Sequence, residues 1–265
     1  IGVKYPWGIY RQVPVRDFLY AGMENTTSTI FAQDFVVDSI GFNDRNYVNV
    51  NAHELAHQWF GDHATCSSWA DIWVNEGFAS YAEYLMLEHL YPGSEASDMA
   101  SRHNNIMSQP GGSVWVQDSL NDGSIFSGRL VYDKGAAIVH TLRFLIDNDT
   151  IFYHALKEYQ SIFADSTASG IELIEVFENE SGKDLSNFTD EWYFGEGYPT
   201  YSVRWNSVGS DLLLEINQTT SRPAVTPFFT NDLELRFDRS GVADTTIRFE
   251  VTGTQNQFII PNASN

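Results

Sequence analysis

Two neighbouring segments in the first third of the chain carry apolar residues at helical spacing. In the first, Tyr47, Leu55 and Trp59 belong to a set of apolar residues that recur every three or four positions. This spacing predicts an amphipathic helix that ends near residue 61. A second helix is predicted over 72–91, after a turn-like stretch at 61–68. A connection of this length lets the second helix pack antiparallel to the first.

The rest of the pattern divides the chain into a helical part and a strand-rich part. Further helices are predicted at 94–107, 130–146, 151–163, 169–179 and 186–194, and strands at 9–18 and 30–37. After Pro199 short strand-like segments alternate with turn residues, at 201–205, 212–217, 233–237, 246–251 and 258–261. We therefore predict an α+β fold. A mostly helical domain over residues 1–199 is followed by a smaller all-β, sandwich-like domain over residues 200–265.

Composition and charge narrow the classes of partner. The net charge of −20, from 35 acidic and 15 basic residues, repels phosphate groups and argues against nucleic acid as a partner. No run approaches the roughly 18 apolar residues of a membrane-spanning helix. The single cysteine, Cys66, excludes a disulfide within the chain. Together with the polar, Asn-rich composition it favours an extracytoplasmic (secreted or periplasmic) location over a cytoplasmic one. Oligomeric state is not indicated.

The first predicted helix contains the motif His53-Glu54-Leu55-Ala56-His57. Residues four apart lie one turn apart on the same face of a helix, so both imidazoles can reach one metal ion. Glu54 lies to the side of the two ligands, where it can contact a metal-activated water as a general base.

A third ligand is needed, and Glu76 on the second predicted helix follows His57 after 18 intervening residues. Two histidines and one glutamate leave a fourth position open for water, which is typical of a catalytic zinc site. The spacing therefore predicts one zinc ion per chain. The alternative is a structural helix with two core histidines, and the correctly spaced Glu76 argues against it.

Four motifs occur in order along the chain: Gly22-Met23-Glu24-Asn25, His53-Glu54-x-x-His57, Asn75-Glu76-Gly77 and Val131-Tyr132-x-Lys134-Gly135. Together they resemble the zinc aminopeptidases of the aminopeptidase N family, which includes the leukotriene hydrolase. The resemblance runs over about residues 5–198. It implies a thermolysin-like, mostly helical catalytic domain of the gluzincin class.

The resemblance also implies roles for the site residues. His53, His57 and Glu76 would bind zinc, and Glu54 would activate the water that attacks the N-terminal peptide bond.

The other matched positions would bind the substrate, a peptide with a free N-terminus. Glu24 would bind the α-amino group, and Gly22 and Met23 would lie along the substrate backbone. Tyr132 would donate a hydrogen bond to the oxyanion.

The chain departs from the family pattern at two positions and leaves alternatives open. Ala21-Gly22 replaces the commoner Gly-Ala, and Thr26 replaces a frequent aromatic residue. Family members also carry a β-rich domain and the first helix of the catalytic domain before the point that matches Ile1, and a second amine-binding residue comes from there. A thermolysin-type endopeptidase, an epoxide hydrolase like the leukotriene enzyme and a non-catalytic binding module are the competing hypotheses. Glu24 argues against the first of these, and the intact set of catalytic residues argues against the last.

Overall fold

The structure is a computed structural model, and it describes residues 2–44, 47–238 and 243–263. The chain folds into two compact units. The first comprises Ile1–Ser108 and Val114–Asp184, and the second comprises Gln109–Ser113 and Leu185–Asn265. The domain boundary after residue 199 stays a prediction. The mixture of helices and strands agrees with the predicted α+β class.

The first unit opens with a small three-stranded sheet. Its strands are β1 (Arg11–Val15), β2 (Gly22–Met23) and β3 (Ser28–Ala32). β3 lies in the middle, parallel to β1 and antiparallel to β2. The strand predicted over 30–37 is wrong beyond residue 32. Polar Gln33 and Asp34 break the apolar alternation there, and a 3₁₀ turn over Gln33–Phe35 follows.

Helices form most of the first unit. They are α1 (Gly41–Asp44), α2 (Val48–Ala56), α3 (Trp73–Leu90), α4 (Glu95–Ile106), α5 (Asp122–Ile125), α6 (Gly135–Ile146), α7 (Asp149–Ile162) and α8 (Gly170–Ser181). β4 (Ala64–Cys66) follows α2, and β5 (Ser166–Ala168) lies between α7 and α8. These two short strands pair in parallel.

α3 is the central helix of this unit, since every residue from Trp73 to Tyr81 is buried. Phe78 on this helix stacks on Phe60 with ring centroids 4.7 Å apart, and Phe60 in turn stacks on Tyr159 of α7. These aromatic contacts hold the turn after α2 against α3. The two predicted metal-binding helices are therefore neighbours in the core.

The helix predicted to start at residue 130 begins as a π-helix over Gly128–Lys134 and becomes α-helical only at Gly135. The wider π turn admits extra residues per turn, and such turns occur often at functional sites. Apolar periodicity does not distinguish a π turn from an α turn. The predicted helix is present, and its first part is a π turn that the sequence did not indicate.

The second unit contains α9 (Ser186–Phe188), a π turn (Thr189–Tyr193) and a set of antiparallel strands. The strands are β6 (Pro199–Val208), β7 (Asp211–Thr220), β8 (Asn231–Phe237), β9 (Thr245–Val251) and β10 (Gln255–Ile260). They form one sheet in the order β10-β7-β6 and a second β8-β9 sheet. Leu214 and Ile216 from the first and Phe249 and Val251 from the second share one hydrophobic cluster.

Across both units, none of the helices in the described part of the chain is long and apolar enough to cross a membrane.

Candidate active site

The three predicted metal ligands converge in the first unit. The Nε2 atoms of His53 and His57 lie 3.1 Å apart, and the Oε2 atom of Glu76 lies 3.2 Å and 3.1 Å from them, respectively. His57 and Glu76 are buried and His53 is nearly so. The i, i+4 spacing on α2 aligns the two imidazoles, and Glu76 comes from the first turn of α3.

The hydrogen bonds of both histidines prepare their Nε2 atoms to bind a metal. Nδ1 of His57 lies 3.0 Å from the carbonyl oxygen of Phe60, and Nδ1 of His53 lies 2.9 Å from a carboxylate oxygen of Glu83. Because each oxygen accepts, each Nδ1 must carry a proton, and Nε2 is the ring nitrogen that faces the other ligands and binds a metal once it has lost its own proton.

This donor set fits zinc in type and spacing. In a tetrahedral site with bonds of about 2.0–2.1 Å, donor atoms lie about 3.3–3.4 Å apart. The observed separations of 3.1–3.2 Å differ from that by only tenths of an ångström. Two imidazole nitrogens and one carboxylate oxygen are also the ligand types of catalytic zinc sites.

When no metal is bound, the charges of the three groups shift one another's pKa values. Burial raises the pKa of Glu76, but the charge of His57 and the hydrogen bonds from both histidines outweigh it and lower the pKa well below its ordinary value. Burial lowers the pKa of His57, but the charge of Glu76 outweighs it and raises the pKa to about 10. An ionised carboxylate therefore faces a protonated imidazole, and a metal cation would replace that proton.

Glu54 lies beside the ligands and is buried. Burial raises the pKa of its carboxyl group to about 7, against the opposing effect of His53 and His57. Its Oε2 atom has no hydrogen-bond partner among the described residues. Its Oε1 atom lies so close to Gly22 that a Cβ at that position would be 2.3 Å away. The Ala21-Gly22 order thus leaves room for the carboxylate of Glu54.

Tyr132 contacts the ligand group from the π turn before α6. Its ring stacks on the ring of His53 with centroids 5.9 Å apart and an interplanar angle of 14°. Burial, and next the charge and hydrogen bonding of Glu76, raise the pKa of Tyr132 above its ordinary value. The hydroxyl group therefore stays protonated and can donate a hydrogen bond at any working pH.

The segment that carries Glu24 is held against α2 by Gln58, a residue that the sequence analysis missed. The buried Gln58 side chain donates to the Glu24 carbonyl and to Asp62, each at 2.8 Å, and accepts from the Thr27 backbone at 2.8 Å. Gln58 directly follows the second histidine of the motif. Sequence gives no sign of these partners, because they lie across a tertiary contact.

Glu83 is the second residue that the sequence analysis missed. It binds Nδ1 of His53 and lies seven residues after Glu76 on α3, two helical turns along the same face. That i, i+7 relationship to a predicted ligand was the available signal. A carboxylate on the second nitrogen of a metal-binding histidine fixes the orientation of the ring.

One cavity of about 1190 Å³ joins these groups. It is lined by the three ligands and by Gly22, Met23, Glu24, Glu54, Glu83 and Tyr132, with aromatic residues that include Trp69 and Phe126. Cys66 also lines it, and burial, then the charge of Asp71, raise the pKa of its thiol to about 11. The structure therefore gathers every predicted site residue around one space, while the neutral thiol of Cys66 stays outside the ligand group.

Comparison with known proteins gives a consistent result. The model of the Peptidase family M1 domain matches residues 1–192. The chain is 29% identical over 222 residues to Aminopeptidase N of Lactococcus lactis subsp. lactis, covering 76% of this chain and 25% of that protein. It thus spans about a quarter of the length of the curated relatives that it matches.

Solved structures are similar in fold. Aminopeptidase A of Legionella pneumophila, solved in complex with aspartic acid, superposes with a TM-score of 0.76 at 20% identity, over 96% of this chain and 29% of that one. A mutant M1 zinc metallopeptidase of Deinococcus radiodurans, solved with a Tyr-Ser-Ala substrate, superposes with a TM-score of 0.55 at 25% identity. That match covers 68% of this chain and 38% of the other.

Proposed function

This chain belongs to peptidase family M1, and on that premise we propose that it carries the catalytic centre of a zinc-dependent aminopeptidase. The observation that carries the proposal is the convergence of the His53, His57 and Glu76 ligand atoms within 3.2 Å of one another. Glu54, Tyr132 and Glu24 line the same cavity. We further propose that residues 1–199 form a thermolysin-like catalytic domain.

The ligands would hold one zinc ion per chain. Such an ion supplies a Lewis acid that polarises a carbonyl group and lowers the pKa of water to about 7. His53 and His57 would bind through Nε2 and Glu76 through Oε2, since these atoms face one another. The hydrogen bonds to Glu83 and to the Phe60 carbonyl would keep the two rings in this orientation.

Glu54 is the general base in this proposal. Its carboxyl group has a pKa raised to about 7, close to neutral pH, so it can both accept and return a proton. It would take a proton from the attacking water and pass it to the nitrogen of the leaving amine. The lack of a partner for its Oε2 atom within the described residues leaves that oxygen available for the proton.

Tyr132 and Glu24 would bind two different groups of the substrate. The protonated hydroxyl of Tyr132 would donate to the oxyanion that develops on the substrate carbonyl, an interaction typically worth about 3–4 kcal/mol. The half-buried carboxylate of Glu24 would pair with the free α-amino group. Gly22 and Met23, at the edge of the small sheet, would lie along the substrate backbone.

The competing function is a thermolysin-type endopeptidase, which would use similar zinc ligands. Glu24 counts against it, because an anion placed to pair with an α-amino group finds no cation in the middle of a peptide chain. Once substrate covers the cavity, the carboxylate of Glu24 would be left without a partner, which costs free energy.

The Glu54→Gln variant of the full-length protein tests the division of roles. If Glu54 is the base and not a ligand, the variant should bind zinc as the wild type does and lose hydrolysis. Loss of the metal would mean that Glu54 is a ligand. Retained hydrolysis would mean that another group takes the proton.

A further inference from the structure

Arg102 on α4 is a buried cation that contacts three carboxylates. It is 8% exposed. Its Nε atom donates to Asp98 at 2.8 Å, its Nη1 atom to Asp133 at 3.1 Å and its Nη2 atom to Glu83 at 3.0 Å. All three nitrogens of the guanidinium group are thus committed, and two of the three partners belong to other elements.

One of these two partners, Glu83, links Arg102 to the metal ligands. Glu83 accepts from Arg102 through Oε2 and from Nδ1 of His53 through Oε1, at 2.9 Å. Both oxygens of one carboxylate are therefore held, one by the cation and one by the ring. Rotation of the Glu83 carboxylate would break both bonds, so Arg102 fixes the group that orients His53.

The other partner, Asp133, links Arg102 to Tyr132. Asp133 directly follows Tyr132 on the π turn, and α4 holds it twice, through Arg102 and through the Nδ2 atom of Asn105 at 2.7 Å. The position of this turn determines where the Tyr132 ring lies over His53.

We propose that Arg102 is a positioning residue that sets the orientation of His53 and the position of Tyr132 at the same time. The inference rests on the zinc site of the proposed function and adds to it a residue that touches neither metal nor substrate. One planar guanidinium group can hold Glu83 and Asp133 in fixed relative positions because its donors form a rigid fork. A lysine keeps the charge but lacks that fork.

Arg143 on α6 provides a matched comparison. It too is largely buried, donates to two carboxylates, and contacts α3, through Glu88 at 3.0 Å, as well as Asp149 at 2.7 Å. These two carboxylates make no contact with His53 or Tyr132 in the described residues. An effect of Arg102 that arises from fold stability alone should therefore also arise from Arg143.

The test compares Arg102→Lys with Arg143→Lys in the full-length protein. The readouts are the zinc dissociation constant by chelator competition, the visible spectrum of the cobalt-substituted site, kcat at saturating zinc, and Tm. Arg102→Lys should raise the zinc dissociation constant and lower kcat, each about 10-fold, and change the cobalt spectrum. Arg143→Lys should lower Tm and leave the other three readouts unchanged.

Two further variants test the Glu83 contact and the Asp133 contact separately, and they remain informative if Arg102→Lys does not fold. Glu83→Gln should weaken zinc binding about 10-fold or more. Asp133→Asn should lower kcat and leave zinc binding unchanged. The inference is overturned if both variants match the wild type, if Arg102→Lys changes Tm alone, or if Arg143→Lys produces the same losses. A wild type that binds no zinc would instead overturn the proposed function itself.

Discussion

The backbones of Gly77 and Gly135 touch where α3 and α6 cross. A Cβ atom at Gly77 would lie 3.0 Å from the Cα atom of Gly135, and one at Gly135 would lie 2.9 Å from the Cα atom of Gly77. Gly77 directly follows Glu76, and Gly135 comes three residues after Tyr132. The absence of both side chains therefore lets the tyrosine approach the ligand group.

Gly77→Ala tests this relationship. The added methyl group meets backbone atoms, so the two helices must separate. Overpacking costs about 1–3 kcal/mol, partly offset by about 1 kcal/mol of better helix propensity. We expect a modest loss of Tm and a fall in kcat/KM of roughly 10-fold or more, because a small misplacement of a catalytic group is costly. Gly128→Ala is the control, since nothing lies within 4 Å of its added Cβ. Equal activity of Gly77→Ala and wild type would show that the crossing does not position Tyr132.

Gly22→Ala should displace Glu54 without displacing a metal ligand. The new Cβ would lie 2.3 Å from Oε1 of Glu54, so the carboxylate must move. The metal ligands are untouched, so zinc content should stay at the wild-type value. We expect kcat to fall by about 10–100-fold, as for other misplaced catalytic groups. An unchanged kcat would mean that Glu54 acts from a position that a methyl group at residue 22 does not block.

Zinc affinity should increase with pH. The pKa of His57 is raised to about 10 in the metal-free site, so below that pH the ring carries a proton that zinc must displace. The apparent association constant should rise about tenfold per pH unit from pH 7 to roughly 9.5. Chelator competition across this range measures it. A pH-independent constant would contradict the pairing of His57 with Glu76.

The same pair also makes the stability of the metal-free protein pH-dependent. A raised histidine pKa stabilises the fold below the unfolded value near 6.5, and that stability is lost as the pH rises through about 10. The lowered pKa of Glu76 stabilises above about 4.5, and that part is lost as the pH falls below it. The contribution of this pair to Tm of the metal-free protein should therefore be largest between about pH 4.5 and 6.5, where both parts are complete.

Tyr132→Phe removes one hydroxyl group and little volume. If that group donates to the oxyanion, kcat should fall by about 10²–10³ while KM changes little. Tyr159→Phe is a suitable control because it removes another buried hydroxyl, one without a partner among the described residues. The control should keep full kcat. A Tyr132→Phe variant as active as the control would make Tyr132 a packing residue.

Local patterns predicted that His53, His57 and Glu76 converge, because the relevant geometry is local. The i, i+4 spacing of His53 and His57 is fixed by the helix, and the connection to Glu76 is short enough to bring α3 back alongside α2. The helix predicted from residue 169 likewise starts where α8 does, because Ser169 and Glu172 form a capping box at its N-terminus.

The features that escaped prediction depend on contacts between elements that are distant in sequence. Gln58 forms hydrogen bonds with Thr27 and Glu24, which precede it by 31 and 34 positions. Arg102 bonds to Asp133, which follows it by 31 positions. The π turn around Tyr132 is only 7 residues long, too short for apolar periodicity to distinguish it from an α-helix. The sequence thus indicates which side chains form the candidate site, while their supporting partners appear only in the folded structure.

The proposed aminopeptidase function requires that Glu24 select a free α-amino group beside the zinc site. The most direct measurement is kcat/KM of the full-length, zinc-loaded protein on one peptide in free and N-acetylated forms, for wild type and Glu24→Gln. Breaking an ion pair of this kind from one side costs roughly 2–5 kcal/mol. The wild type should therefore strongly prefer the free peptide, and Glu24→Gln should lose most of that preference without losing zinc. Equal cleavage of free and acetylated peptides by the wild type would contradict the aminopeptidase assignment and favour an endopeptidase.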